Sequence, residues 1–467
     1  MAEARSVIRN LSSATLMRVA SAGLSFALFT FLARSWSTVH LGEFATILAI
    51  FTLLQQAPLL GLHLVLSRDT AAGRETRVRQ AINAGVISVA VSLVLAAAVF
   101  VLGRALYPPA MHAAFGLMAL ALIPTALASV VESLLWGEER MDTVMSVNLI
   151  ENLVRVTACV ALVRLGYGLT AMWACFLAAR FVMLAGYLAW GGLRDVWQLS
   201  ALDPVLIGRY LRMCPTYAGI LAASAGINRV DFVLLSKLGR IQDVSYYATA
   251  YRLNELALMA PIALSIVLFP VFTRFLAASE ERFLNLIRGV FRFNFIVGVP
   301  LAVAIALAAG PILSLLFGTV YAESTIVLRL LIFVPVLAGL DQVLTSVQLI
   351  RGRQGDDLVV LTITSVFYVA LLVALIPRLG FLGAAIATLA TSALQLSLRY
   401  GFTRRFAGVP PLIGLITRPA LAGLVMAAVV VFTRQLHPAL TVSLGAASYL
   451  IALSLLGGVT RSDLAGL

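Results

Sequence analysis

Lysine occurs once in this chain of 467 residues, at Lys237, and cysteine only three times. A phosphate-binding loop needs Gly-x-x-x-x-Gly-Lys-Ser/Thr to place one ammonium beside the phosphates, and Leu-Leu-Ser-Lys-Leu-Gly is not that motif. An ATP motor of that kind is excluded. Cys159, Cys175 and Cys214 form no CxxC pair and read as inert buried thiols, not a metal or disulfide framework. His40, His63, His112 and His437 lack HExxH spacing, and Asp356-Asp357 is an isolated pair at a loop end. Hence no metal and no cofactor are expected. Charged residues are also sparse, at 12%. No long polar stretch forms a domain able to carry sugar-polymerising or ligating chemistry, so the chain reads as a non-enzyme.

What fills the sequence instead is apolar. Hydrophobic residues make up 61% of the chain and its mean hydropathy is +1.00, the profile of an all-α polytopic membrane protein. Runs long enough to cross a hydrocarbon core of about 30 Å fall at 13 to 33, 41 to 66, 81 to 103, 113 to 136, 143 to 163, 169 to 191 and 213 to 236. Seven more lie at 244 to 272, 293 to 317, 325 to 350, 358 to 377, 381 to 398, 413 to 433 and 438 to 458. About fourteen transmembrane helices are predicted. Arg18 interrupts the first run, so that run is expected to stay as a span and not to be cleaved as a signal.

Lys and Arg sort unevenly among the connections. The N-terminus, the even-numbered connections and the C-terminus carry 20, against seven on the other side: Arg34, Arg104, Arg164, Lys237, Arg240, Arg378 and Arg434. Positive loops stay in the cytoplasm, which predicts a multi-pass protein of the cytoplasmic (inner) membrane with both termini inside. Basic loops beside anionic lipid also account for the formal net charge of +13 without a nucleic-acid partner.

An internal echo organises the spans. Ala20-Ser21-Ala22-Gly23 returns as Ala223-Ser224-Ala225-Gly226, Ala45-Thr46 as Ala248-Thr249, and Ala57-Pro58 as Ala260-Pro261, each at a spacing of 203 residues. The offset joins span 1 to span 7, an even number of crossings, so both copies enter from the same side. This predicts an N-terminal six-helix lobe (1–191), a cytoplasmic linker (192–212), a second six-helix lobe (213–400) related by a pseudo-twofold axis, and two extra C-terminal helices with a tail (401–467).

Polar residues inside spans locate the candidate site, because each is costly in lipid unless it faces a cavity or a partner. In span 5, Asn148, Glu151, Asn152 and Arg155 share one helical face. Glu151 and Arg155 are either a self-neutralised pair or part of a cavity wall. Span 7 presents Tyr217, Ser224, Asn228 and Asp231; span 1 answers with Arg18, Ser21 and Ser25, and span 8 carries Arg252 and Glu255. Arg18, Ser21, Ser25, Asn148, Glu151, Asn152, Arg155, Ser224, Asn228 and Arg252 are therefore the candidate substrate-binding residues of a central cavity. Asp231, Glu255 and Asp341 are candidates for binding a coupling H⁺ or Na⁺, with a static counter-ion as the alternative role. Arg180, Arg418 and Glu132 lie near span ends and read as snorkelling. Excess arginine favours an anionic cargo, since guanidinium groups grip phosphate and pyrophosphate oxygens.

A family resemblance adds to this. Leu32-Ala33-Arg34 followed by Leu41-Gly42-Glu43-Phe44-Ala45, with Arg68-Asp69 after them, resembles the opening of polysaccharide-type flippases of the multidrug/oligosaccharidyl-lipid/polysaccharide (MOP) exporter superfamily. Asp231 with the apolar run after it, Tyr246-Tyr247 with Ala250, Pro270, and Gly380-Phe381-Leu382-Gly383-Ala384-Ala385 are similar to the family pattern in the second lobe. The resemblance implies alternating access by two six-helix lobes. It implies as cargo an undecaprenyl-pyrophosphate-linked oligosaccharide for surface polysaccharide, taken from the membrane lipid, with polysaccharide polymerase and glycosyltransferase machinery as partners. A lipid II flippase, a cation-coupled multidrug antiporter and a membrane-embedded sugar polymerase or ligase are the alternatives, the last disfavoured by loop length.

Overall fold

Every predicted span meets helix in the computed structural model, and no strand occurs among the described residues. These are 2–73, 76–191, 201–225, 229–433, 435 and 438–457; of them, 2–16, 18, 215–225 and 438–439 are described as backbone only. In chain order the helices are α1 (Ala2–Ser35), α2 (Thr38–Leu54), α3 (Leu62–Ala71), α4 (Arg77–Leu106), α5 (Pro109–Gly137), α6 (Met141–Arg164), α7 (Leu169–Trp190), α8 (Pro204–Ala225) and α9 (Val230–Leu238). They continue as α10 (Ile241–Ala278), α11 (Glu280–Leu307), α12 (Ala309–Phe317), α13 (Ser324–Leu331), α14 (Val334–Ile350), α15 (Gln354–Leu379), α16 (Phe381–Ala407), α17 (Ile413–Phe432) and α18 (Pro438–Leu455). Eleven segments among the described residues are long and apolar enough to cross a membrane, and Val19–Ser35 and Leu440–Leu455 are shorter apolar helices. The remaining span is carried by α8 and α9, with 226–228 outside the described residues.

The duplicated Ala-Pro dipeptide has two outcomes. After Ala57-Pro58 the chain makes a single 3-10 turn and then turns left-handed at Leu60 (φ 48°) and Gly61 (φ 80°), so the second span is split into α2 and α3. Ala260-Pro261 lies inside the continuous α10. Proline removes one N–H and strains the preceding turn, which a helix survives as a kink. The break at the first copy comes with Gly61, which takes the left-handed conformation that a Cβ resists. Pro335 behaves differently again, opening α14 in its first turn, where no N–H is needed.

The described chain divides into two compact units, Met1–Lys237 and Leu238–Leu467. In the first, α5 packs against α4 and α7, and α6 against α1 and α7. α3 and α5 approach closely at Gly137, where a Cβ would sit 2.5 Å from the carbonyl oxygen of Ser67. In the second, α14 packs between α10 and α16, and α15 and α16 form a hairpin. There Gly383 lies so close to α15 that a Cβ would approach the carbonyl oxygen of Leu375 to 2.6 Å. The extra helices rest on α11: α17 packs along it, and the Tyr449 hydroxyl of α18 donates to the Ile296 carbonyl at 2.9 Å.

The stretch read as a linker is packed from residue 203 onward. Asp203 caps α8 by accepting the Val205 N–H at 2.8 Å, and its own N–H donates to Asn83 Oδ1 at 2.8 Å. Arg79 pairs with the same carboxylate. The Val205 N–H and the Arg79 guanidinium together hold Asp203 below the usual carboxylate range, so it stays ionised at neutral pH. Leu206, Tyr210 and Cys214 then enter the core of the first unit beside Leu59, Leu62 and Leu134. Glu138 completes this arginine-rich end by pairing with Arg77 at 2.5 Å, while Arg140 donates to the Trp190 carbonyl at 2.7 Å.

Candidate functional site

The four-residue face predicted on the fifth span is present on α6 and packs against α1 and α7, with Glu151 and Asn152 buried. Glu151 and Asn152 are each 4% exposed. Arg155 donates from Nε to Glu151 Oε1 at 3.1 Å and from its terminal nitrogen to Asn152 Oδ1 at 2.6 Å. Asn152 passes the link to α1 by donating to the Ser21 carbonyl at 2.6 Å and to Ser25 Oγ at 3.2 Å. Asn148, one turn earlier, accepts from the Tyr187 hydroxyl of α7 at 3.2 Å. Such a set is stable at membrane depth only because nearly every polar atom has a partner. Ser21 contributes its backbone carbonyl to this network; Ser25 contributes its hydroxyl.

Aromatic rings close the cluster on the α7 side. Phe176 lies under the Arg155 guanidinium, 4.7 Å from ring centre to Cζ, and stacks with Trp173, which meets Phe51 of α2. One turn further along α7, Arg180 sits over Phe51 at 5.3 Å with its terminal nitrogen 3.5 Å from Met183 Sδ. Its Nε is buried without a hydrogen-bond partner. Arg180 therefore does not snorkel: it lies in the middle of Leu169–Trp190, its guanidinium against aromatic and thioether surface. A cation over a ring face gains electrostatic attraction that grows when water is excluded.

The second unit holds two further charge sets. On α10, Arg252 and Glu255 pair at 2.9 Å, both partly exposed, and the neighbouring Asn254 is buried. Between α14 and α16, Asp341 meets Arg399 Nε at 2.7 Å and accepts from Gln395 at 2.8 Å. Arg399, only 2% exposed, also reaches Thr345 Oγ1 and Asp357 Oδ1, both at 2.5 Å. Asp357 is thus no isolated loop acid but the second counter-ion of a buried arginine. Asp231 is buried in the first turn of α9 and accepts the Phe232 N–H at 3.0 Å, the end of a helix where a carboxylate is favoured. The side chains of Arg18 and Ser224, and residue Asn228, lie outside the described residues.

Arg399 is the site residue that reading the sequence missed. The apolar run ends at 398, so the residue counts as a basic loop position; yet Thr388, Ser392, Gln395 and Arg399 repeat the same-face spacing that picked out span 5. Chemically, the clusters offer guanidinium donors at membrane depth and no nucleophile–base pair. No group of residues able to hold a metal ion occurs among the described residues.

Residues 7–276 match the family model described as polysaccharide biosynthesis protein. No curated protein matches the sequence. Among solved structures, the lipid II flippase MurJ in an inward closed conformation superposes with a TM-score of 0.78 at 14% identity, covering 95% of this chain and 98% of that one. An inward-facing multidrug resistance MATE family transporter of the MOP superfamily gives 0.68 at 16% identity, covering 83% and 94%. The MATE transporter VcmN of Vibrio cholerae gives 0.56 at 17% identity, covering 88% and 99%. At these identities the likeness is one of fold.

Proposed function

Since the chain belongs to the polysaccharide biosynthesis protein family and shares its fold with exporters of the MOP superfamily, we propose that it flips an undecaprenyl-pyrophosphate-linked oligosaccharide across the cytoplasmic membrane by alternating access. The match over residues 7–276 is the observation that carries this reading. Guanidinium groups within the spans support it: Arg155, backed by Phe176, and Arg18 in the first unit, and Arg252 in the second, are each assigned to an anionic head group. Ser21, Ser25, Asn148, Ser224 and Asn228 are assigned to sugar hydroxyls, and Asn152 to holding Arg155 and Ser25 in place.

Both oxygens of Asp341 are occupied by Arg399 and Gln395, and Asp231 is capped in its own helix turn. Glu255, partly exposed beside Arg252, is the acid best placed to exchange H⁺ or Na⁺. In vesicles, an imposed proton or sodium gradient is expected to accelerate flipping by the wild type and not by Glu255→Gln; equal acceleration in both would remove Glu255 from coupling.

Deleting the gene and analysing lipids tests the cargo. The expected result is a lipid-linked oligosaccharide left facing the cytoplasm and loss of the surface polymer. Likeness to MurJ over 95% of the chain favours lipid II as the second reading; lysis with accumulated lipid II would establish it in place of the first. Intact glycans with heightened sensitivity to cationic dyes would point instead to drug export. Arg252→Ala should insert normally and fail to transport, whereas wild-type flipping would take Arg252 out of the head-group site.

A further inference from the structure

Cys159 of α6 and Cys175 of α7 bring their sulfurs to 3.4 Å. No bond joins them, but the contact is direct, and the two helices are antiparallel neighbours joined by the short turn between Arg164 and Leu169. Cys159 is fully buried and Cys175 half-buried, so a reagent meets Cys175 first. The Cys175 thiol also donates to the Arg155 carbonyl, at 3.8 Å. Cys214 lies apart, in the core formed with Leu206 and Tyr210. The transport reading uses none of the three.

We infer that Cys159 and Cys175 are a reversible thiol–disulfide couple that cross-links α6 to α7. The co-reactant is an apolar disulfide able to enter from the bilayer. Cys175 loses its proton, and its sulfur attacks the oxidant's S–S bond, expelling one thiol and leaving a mixed disulfide. Cys159 then attacks the Cys175 sulfur and expels the second thiol. Two protein thiols are oxidised, the oxidant is reduced to two thiols, and the two cysteine protons end on them. A bond of about 2.05 Å needs the sulfurs to close only part of the present gap. Because Arg155 is one turn before Cys159 and Phe176 comes directly after Cys175, the cross-link would pin the part of the hairpin that holds the Arg155–Phe176 contact.

The test treats purified full-length protein in detergent with dithiodipyridine, then alkylates under denaturing conditions and maps the cysteine peptides by mass spectrometry. Expected is one joined species containing Cys159 and Cys175, lighter by two hydrogens and separated again by dithiothreitol, with Cys214 outside it. Cys159→Ser should instead trap a stable thiopyridyl adduct on Cys175, since no second thiol resolves it. The inference is overturned if the wild type yields separate adducts or free thiols at 159 and 175, or a link from either to Cys214.

Discussion

Replacing Arg399 with alanine is expected to lower the stability of the purified protein by about 3–5 kcal/mol, the usual cost of stripping one partner from a buried ion pair. The guanidinium is 2% exposed and is shared by Asp341, Asp357 and Thr345, so its loss strands two carboxylates between α14, α15 and α16. Arg399→Lys keeps the charge but not the planar fork that reaches three acceptors, and should recover only part of the loss. Adding Asp341→Asn and Asp357→Asn to Arg399→Ala should recover more, because neutral amides have far less to lose on burial. Heating in detergent, followed by size-exclusion with fluorescence detection, reads all of these variants. If Arg399→Ala melted within about 0.5 kcal/mol of the wild type, the range of an ordinary surface change, the cluster could not be what joins α14 to α16.

Arg155→Ala should be nearly as costly, on the order of 3 kcal/mol, and should also abolish flipping. It leaves Glu151 buried without its cation and takes from Asn152 the donor on the side opposite α1. The informative partner is Glu151→Gln with Arg155→Gln, which retains shape and hydrogen bonding while removing both charges. That double variant is expected to regain most of the stability and none of the transport. Wild-type transport by the double variant would make the cluster a packing contact between α6, α1 and α7 and nothing more.

Most of the helical frame was legible because its signal is long and redundant: each span needs about twenty apolar residues, and a single misjudged position does not erase one. The subdivisions were not. Whether Ala-Pro kinks or breaks a helix depends on the residues just beyond it, and Leu60-Gly61 decides the first copy while the second runs on through α10. Site residues fared according to how they announce themselves. Glu151, Asn152 and Arg155 stand out on one face within one run, and the structure joins them. Arg399 lies one residue past the end of an apolar run, and Asp357 just before the start of another, so each reads as a solvated end although they pair around a buried guanidinium. Arg180 shows the converse limit: distance along a helix does not say whether Phe51, from another helix, will cover the charge.

The packing of α8 into the first unit bears on how the protein is made. Leu206, Tyr210 and Cys214 are core residues of that unit, set beside Leu59, Leu62 and Leu134. A nascent chain that has delivered only its first six spans still lacks these side chains, and apolar surface on α3 and α5 stays open until they arrive. Completion of the first half therefore waits on translation past Cys214. A split gene cut at residue 191 would give its first product an unfinished interior, whereas a cut in the turn between α9 and α10 would respect the order in which the two units close.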